Sequence, residues 1–165
     1  SASMLEHHPK ASHVELILGN FNDPSLFEKL RDERFDRIYS ASALQWADDL
    51  DGVFHSLASL NTPMSLAIFT AGTFKTLHEC AGVTPLLRSS DEVMAIAEKY
   101  MNARFEVLYT TLEFDSVREM LRYIKRSGVS GGRRVLDVAR TKALMRDYPL
   151  KHLEFEVLFI TSPSS

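Results

Sequence analysis

Apolar and polar positions along the 165-residue chain change period several times, and each change marks an element. Residues 13–18, His-Val-Glu-Leu-Ile-Leu, form a short aliphatic run closed by Gly19 and Asn20, which predicts a buried strand followed by a loop. Asp23 directly before Pro24 predicts a capped helix start, with Leu26, Phe27 and Leu30 at helical spacing. Residues 35–40 predict a second strand. Asp48 or Asp49 then caps a helix whose apolar stripe is Val53, Phe54, Leu57 and Leu60, ended by Asn61-Thr62-Pro63. Residues 66–70 are nearly continuously apolar, as in a central strand covered on both faces. Ser89, three residues before Glu92, forms a capping box that opens a helix carrying Val93, Ile96 and Ala97. Residues 105–114 alternate as a half-buried strand does. Asp115-Ser116 starts an amphipathic helix with Val117, Met120, Leu121 and Ile124 on one face and bases on the other. A flexible break over residues 127–132, a helix over 135–148 and a terminal strand over 152–160 complete the pattern.

Strands alternating with helices through the first hundred residues predict an α/β fold: a doubly wound, mostly parallel sheet with helices on both faces. Two long strands near the end, separated by a basic helical insertion at about residues 116–149, predict a C-terminal antiparallel strand. The chain reads as one domain, and no internal repeat is visible.

Composition narrows the class. With 45% hydrophobic and 25% charged residues in 18.7 kDa, the chain is an ordinary globular sequence rather than a disordered or fibrous one. Cys80 is the single cysteine, so no intramolecular disulfide forms; it reads as a small buried hydrophobe, and a reducing cytoplasm is the expected location. No apolar run reaches the roughly 20 residues of a membrane span. The net charge of −3 argues against a nucleic-acid partner but hides an asymmetry. Residues 116–151 carry ten bases against three acids, +7, whereas the remainder carries nine bases against nineteen acids, −10.

The usual phosphate, nucleotide, zinc and serine-nucleophile motifs are absent. His7-His8 reads as solvent-exposed rather than metal-ligating, so no metal is expected, and Gly131-Gly132 reads as a hinge. More informative is the second predicted strand, which runs into Ser40-Ala41-Ser42-Ala43-Leu44-Gln45-Trp46. In an open α/β sheet ligands bind beyond the carboxyl ends of strands, where small residues let a cofactor approach the backbone. A tight strand-to-helix connection with Trp46 as a core anchor is the other reading of the same residues.

Several segments resemble the class I S-adenosylmethionine-dependent methyltransferases. Ser3-Met4-Leu5-Glu6 is similar to the segment after that family's second strand, residues 14–20 to its third strand and adenine-contacting loop, and Phe35-Asp36 to the start of its fourth. Ala43-Leu44-Gln45-Trp46 with Asp48, the stretch Phe69-Thr70-Ala71-Gly72-Thr73-Phe74-Lys75, and Leu112-Glu113-Phe114 leading to Leu121-Arg122-Tyr123-Ile124-Lys125-Arg126-Ser127-Gly128 resemble one subfamily. Its members O-methylate malonyl-acyl carrier protein in biotin precursor synthesis. The resemblance covers essentially the whole chain. It implies S-adenosylmethionine as cofactor, held by Asn20, Phe21, Ser40, Ala41, Ser42, Leu44 and Trp46. It also implies an acyl carrier protein or small carboxylate substrate met by Arg122, Lys125, Arg126, Arg133 and Arg134. The alternative substrates are another small acid or a quinone precursor, and the alternative class is a non-catalytic binding module.

Departures from the family are informative too. Its glycine-rich loop and the acidic residue that holds the ribose have no counterpart here, and the expectation is that further residues precede Ser1. Asn20 stands where the family has an aspartate that accepts from the adenine amino group; an amide oxygen accepts without charge assistance. Asn61-Thr62-Pro63-Met64-Ser65 replaces a Pro-Gly-Gly turn.

Overall fold

The computed structural model describes residues 5–9, 11–127 and 138–163. Four strands form one sheet in the order β1-β2-β4-β3: β1 Ile38–Ala41, β2 Met64–Phe69, β3 Arg104–Glu113 and β4 His152–Thr161. β1 and β2 run parallel, with Ile38 opposite Met64, and β4 is antiparallel to both of its neighbours. β3 and β4 pair without interruption from Arg104 opposite Thr161 to Glu113 opposite His152. This is the α/β sheet with a late antiparallel hairpin that the hydrophobic pattern predicts.

Helices α1 Pro24–Leu30, α2 Leu50–Ala58, α3 Lys75–Ala81, α4 Ser90–Ala97, α5 Val117–Ser127 and α6 Val138–Asp147 surround it. Their starts follow local chemistry: Asp23 accepts from the Ser25 N–H, Asp49 from Gly52, and Ser89 from Glu92. The bond from Ser25 also lowers the pKa of Asp23 below the usual carboxylate value.

Two apolar clusters fill the interior. The larger joins Phe27, Val53, Phe54, Leu57, Val93 and Ala97 from the helices to Leu66, Ile68, Leu158 and Ile160 of the sheet. Leu66 and Ile68 lie opposite Ile160 and Leu158, so these four share one face of the sheet. Leu153 points to the other face of β4 and packs with Phe74, Leu77, Met120, Leu144 and Tyr148 in the second cluster, which seats α5 and α6.

Three expectations are corrected. Residues 13–18 form no strand. Val14, Leu16, Ile17 and Leu18 are all exposed, because no strand among the described residues offers the ladder partners that would bury them. The strand expected over residues 35–40 starts later, at Ile38. Cys80 is exposed on the last turn of α3 rather than buried. Helix α3, which the hydrophobic pattern does not predict, lacks a local start signal: its N-cap Phe74 sits in the left-handed region at φ 60° with no side-chain cap of its own.

Candidate functional site

The carboxyl ends of the parallel strands are where an open α/β sheet leaves room for a ligand. Both strand-end connections here carry a non-glycine residue in the left-handed region, Ser42 (φ 56°) after β1 and Phe74 (φ 60°) after β2. Such conformations persist only where surrounding contacts hold them, and they concentrate at functional sites.

Those contacts form a polar belt across the strand ends. Asn20 Oδ1 accepts from the Asn22 N–H (3.1 Å), turning the loop after residue 19, and Asn22 Oδ1 accepts from the Asp48 N–H (3.0 Å). Arg88 donates to the carbonyl oxygens of Ala47 (3.0 Å) and Asp48 (3.2 Å), while its own carbonyl accepts from Ala71 N–H (2.9 Å). One arginine thus ties the Trp46–Asp48 turn to the loop after β2. Gln45, 9% exposed, donates from Nε2 to the Ser42 carbonyl (2.8 Å) and so braces the strained residue; its Oε1 is buried with no hydrogen-bond partner among the described residues. Gly19 lets the Leu26 side chain of α1 approach the backbone, since a Cβ there would lie 2.5 Å from Leu26 Cδ1 and the leucine would have to shift.

Sequence-predicted residues divide into two groups around this belt. Asn20, Ala41 and Ser42 are exposed and Ser40 is half-buried, with Ser40 and Ala41 at the end of β1. Trp46 is 38% exposed, which excludes the core-anchor reading and leaves its ring available at the site. Leu44 instead sends its side chain into the large core, 4% exposed, and Phe21 packs against that core's edge. Asn22, Gln45 and Arg88 were not singled out from sequence. A buried glutamine in an apolar run was the one available signal for Gln45; the other two act through contacts 26 to 41 residues away.

A cleft of about 520 Å³ opens between residues 15–20 and α1, with Asn20, Asp23, Lys29 and Phe35 in its walls. Among the described residues, no group of three or more His, Cys, Asp or Glu side chains could hold a metal ion. No helix among them is long and apolar enough to cross a membrane.

Beside the loop after β2 lies the basic element. Phe74 is 6% exposed, stacks edge-on against Phe155 (5.2 Å), and shares a cluster with Met120 of α5. The opposite face of α5 presents Arg118, Arg122, Lys125 and Arg126 to solvent. Glu119, the one acid on α5, accepts from the Asp115 N–H at the helix start. Among the described residues, none of these four bases takes part in the ion pairs, which join Arg88 to Glu92, Lys99 to Asp51, Arg146 to Asp147 and His152 to Glu113. Arg133, Arg134 and the Gly131-Gly132 hinge lie outside the described residues.

No family model matches the chain. A malonyl-[acyl-carrier protein] O-methyltransferase of Chlorobium luteolum is 35% identical over 106 residues, 59% of this chain and 39% of the relative. One of Porphyromonas gingivalis is 31% identical over 121 residues, 69% of this chain and 46% of the relative. The chain thus spans less than half the length of these curated relatives. A solved structure from Anabaena variabilis, assigned as a methyltransferase of an antibiotic biosynthesis pathway, superposes with a TM-score of 0.60, covering 99% of this chain and 79% of its own at 15% identity. At that identity the likeness is one of fold. The strand order, the loops beyond the parallel strand ends and the two sequence likenesses agree: the chain has the Rossmann-like methyltransferase fold, and its sequence resembles the malonyl-acyl carrier protein O-methyltransferases.

Proposed function

We propose that this chain is part of an enzyme that transfers a methyl group from S-adenosylmethionine to the free carboxylate of malonyl-acyl carrier protein. The observation that carries the reading is the belt from Asn20 to Ala71. The segments that resemble the methyltransferases are drawn together beyond the carboxyl ends of β1 and β2, with an exposed indole and amide among them. The donor set suits an adenosyl group. Asn20 keeps an amide N–H₂ and a second oxygen lone pair after its turn bond, Trp46 offers an aromatic face, and the small residues Ser40 to Ser42 leave backbone groups accessible. Bound there, S-adenosylmethionine supplies an electrophilic methyl on a sulfonium.

The chain's own task is then positional. A carboxylate acceptor is already ionised at neutral pH, so no general base is required. Holding the acceptor in line and excluding water supplies the acceleration. The exposed cations of α5 suit an acidic carrier protein: one-signed patches steer oppositely charged partners and orient their encounter. α5 is placed for this because Met120 on its apolar face belongs to the same buried cluster as Phe74, at the loop leaving β2. Cytoplasmic location and a role in biotin precursor synthesis belong to the same proposal, the first supported by the single cysteine and the second by the sequence resemblance.

Calorimetric titration with S-adenosylhomocysteine, followed by transfer of labelled methyl to malonyl-acyl carrier protein, tests the reading. Saturable binding that weakens about tenfold or more in Trp46→Ala is expected, on the scale of a lost aromatic contact. Absence of any binding would favour a non-catalytic binding module. Binding with methylation of other small acids alone would keep the chemistry and discard the carrier.

A further inference from the structure

The loop after β2 is held by two carboxylates from β4, a strand about 80 residues later in the chain. Glu156, 8% exposed, accepts from the Thr70 hydroxyl and from the Gly72 N–H (3.2 Å) through the same oxygen, Oε1. Its backbone exchanges bonds with Thr73: the Thr73 hydroxyl donates to the Glu156 carbonyl (3.1 Å) and accepts from the Glu156 N–H (3.2 Å). Two residues along, Glu154 accepts from both the N–H (2.7 Å) and the hydroxyl (2.9 Å) of Thr76. Glu154 thereby satisfies a first-turn amide of α3 that Phe74, in its left-handed conformation, leaves uncapped. Gly72 fits this arrangement because any Cβ there would stand 2.5 Å from Glu156 Oε2. A carboxylate taken from water is expensive unless hydrogen-bonded, and Glu156 meets that requirement chiefly with donors from this one loop.

We propose that Glu156 is a positioning residue: its carboxylate, assisted by Glu154, sets the loop of residues 70–76 as the acceptor-side wall of the site. The assignment to the acceptor side rests on the proposed methyl-transfer reading, since Phe74 of this loop belongs to the cluster that buries Met120 of α5. It goes beyond that reading in naming a residue that touches neither partner yet governs where the acceptor's wall stands.

The variants are chosen by the bond list. Glu156→Gln keeps an acceptor oxygen for Thr70 and Gly72, whereas Glu156→Met keeps the length and removes both acceptors. Hydrogen exchange is read at the amides of Gly72, Thr73 and Thr76, with Leu66 and Ile68 of β2 as internal reference. Glu156→Met is expected to speed exchange at Gly72 by about tenfold or more relative to β2, and Glu156→Gln by less than about threefold. In methyl transfer, Glu156→Met is expected to raise KM for the acceptor about tenfold while S-adenosylhomocysteine affinity moves less than about twofold. Should Glu156→Met not fold, Gly72→Ala displaces the same carboxylate from the loop side and is expected to give the same pattern. Unchanged exchange at Gly72 in both variants overturns the proposal, as does a Glu156→Gln effect equal to that of Glu156→Met. An equal loss of S-adenosylhomocysteine affinity overturns the acceptor-side assignment. A wild-type protein that exchanges as expected but transfers no methyl would refute the functional reading and leave the loop-holding role standing.

Discussion

Replacing Arg88 by methionine removes the guanidinium that holds the Trp46–Asp48 turn, while keeping most of the aliphatic stem and the backbone carbonyl that accepts from Ala71. Two charge-assisted bonds disappear, to the Ala47 carbonyl at 3.0 Å and the Asp48 carbonyl at 3.2 Å, together with a 3.6 Å contact to Glu92. A hydrogen bond to a charged group contributes about 1.5–3 kcal/mol when shielded. The Arg88 side chain is 27% exposed, so water recovers part of that, and about 1 kcal/mol for each carbonyl bond is the appropriate figure. The Glu92 contact, with its carboxylate 53% exposed, adds at most about 0.5 kcal/mol. The sum of about 2 kcal/mol corresponds, for a chain of this size, to a melting midpoint lower by about 4–8 °C. Thermal denaturation followed by circular dichroism reads it directly. Arg88→Lys is expected to recover less than half, because a single ammonium cannot fork across two carbonyls as a guanidinium does. A midpoint within about 1 °C of wild type for Arg88→Met, or full recovery by lysine, would refute the claim that this arginine organises the strand ends.

Other expectations follow from the same structure. Reversing Arg122 and Lys125 together to glutamate is expected to raise KM for a carrier-linked substrate about tenfold at low salt and for a short free thioester less than about twofold, the difference shrinking as salt shortens the Debye length; equal effects on both substrates would remove α5 as the docking face. Burial lowers the pKa of His78, whose Nδ1 is buried with no hydrogen-bond partner among the described residues, below the ordinary 6.5. The neutral imidazole is therefore compatible with folding above that value, and stability is lost as pH falls below it, where the unfolded chain takes up the proton first. Urea midpoints at about pH 7.5 and about pH 5 should accordingly fall less in His78→Leu than in wild type, and an equal fall would refute the burial argument. Met120→Ala, at a fully buried position that seats α5, should lower the melting midpoint by about 5–15 °C, in keeping with a cavity cost of about 2–5 kcal/mol. A shift under about 2 °C would mean that α5 is not held by this cluster.

Most of the element pattern was legible in the sequence because helix starts and amphipathic faces depend on neighbours within about four residues. Asp23, Asp49 and Ser89 cap the helices as expected, and the alternation of β3 and β4 marks the antiparallel hairpin. The resemblance carried by Leu44-Gln45-Trp46 and by the basic helix pointed to the methyltransferase fold for the same reason: such motifs are contiguous. Tertiary structure alone decided which of those side chains face the site. Leu44 and Gln45 turn inward and Trp46 outward, although the three are adjacent in sequence. Residues 13–18 have strand composition, but a strand also needs a ladder partner, and none of the described strands pairs with them. The start of α3 and the loop before it depend on Glu154 and Glu156, which lie 78 to 86 residues away from the groups they bind. Such bonds leave no periodic trace in the chain, because a hydrogen bond between distant residues exists only after the sheet has brought its partners together.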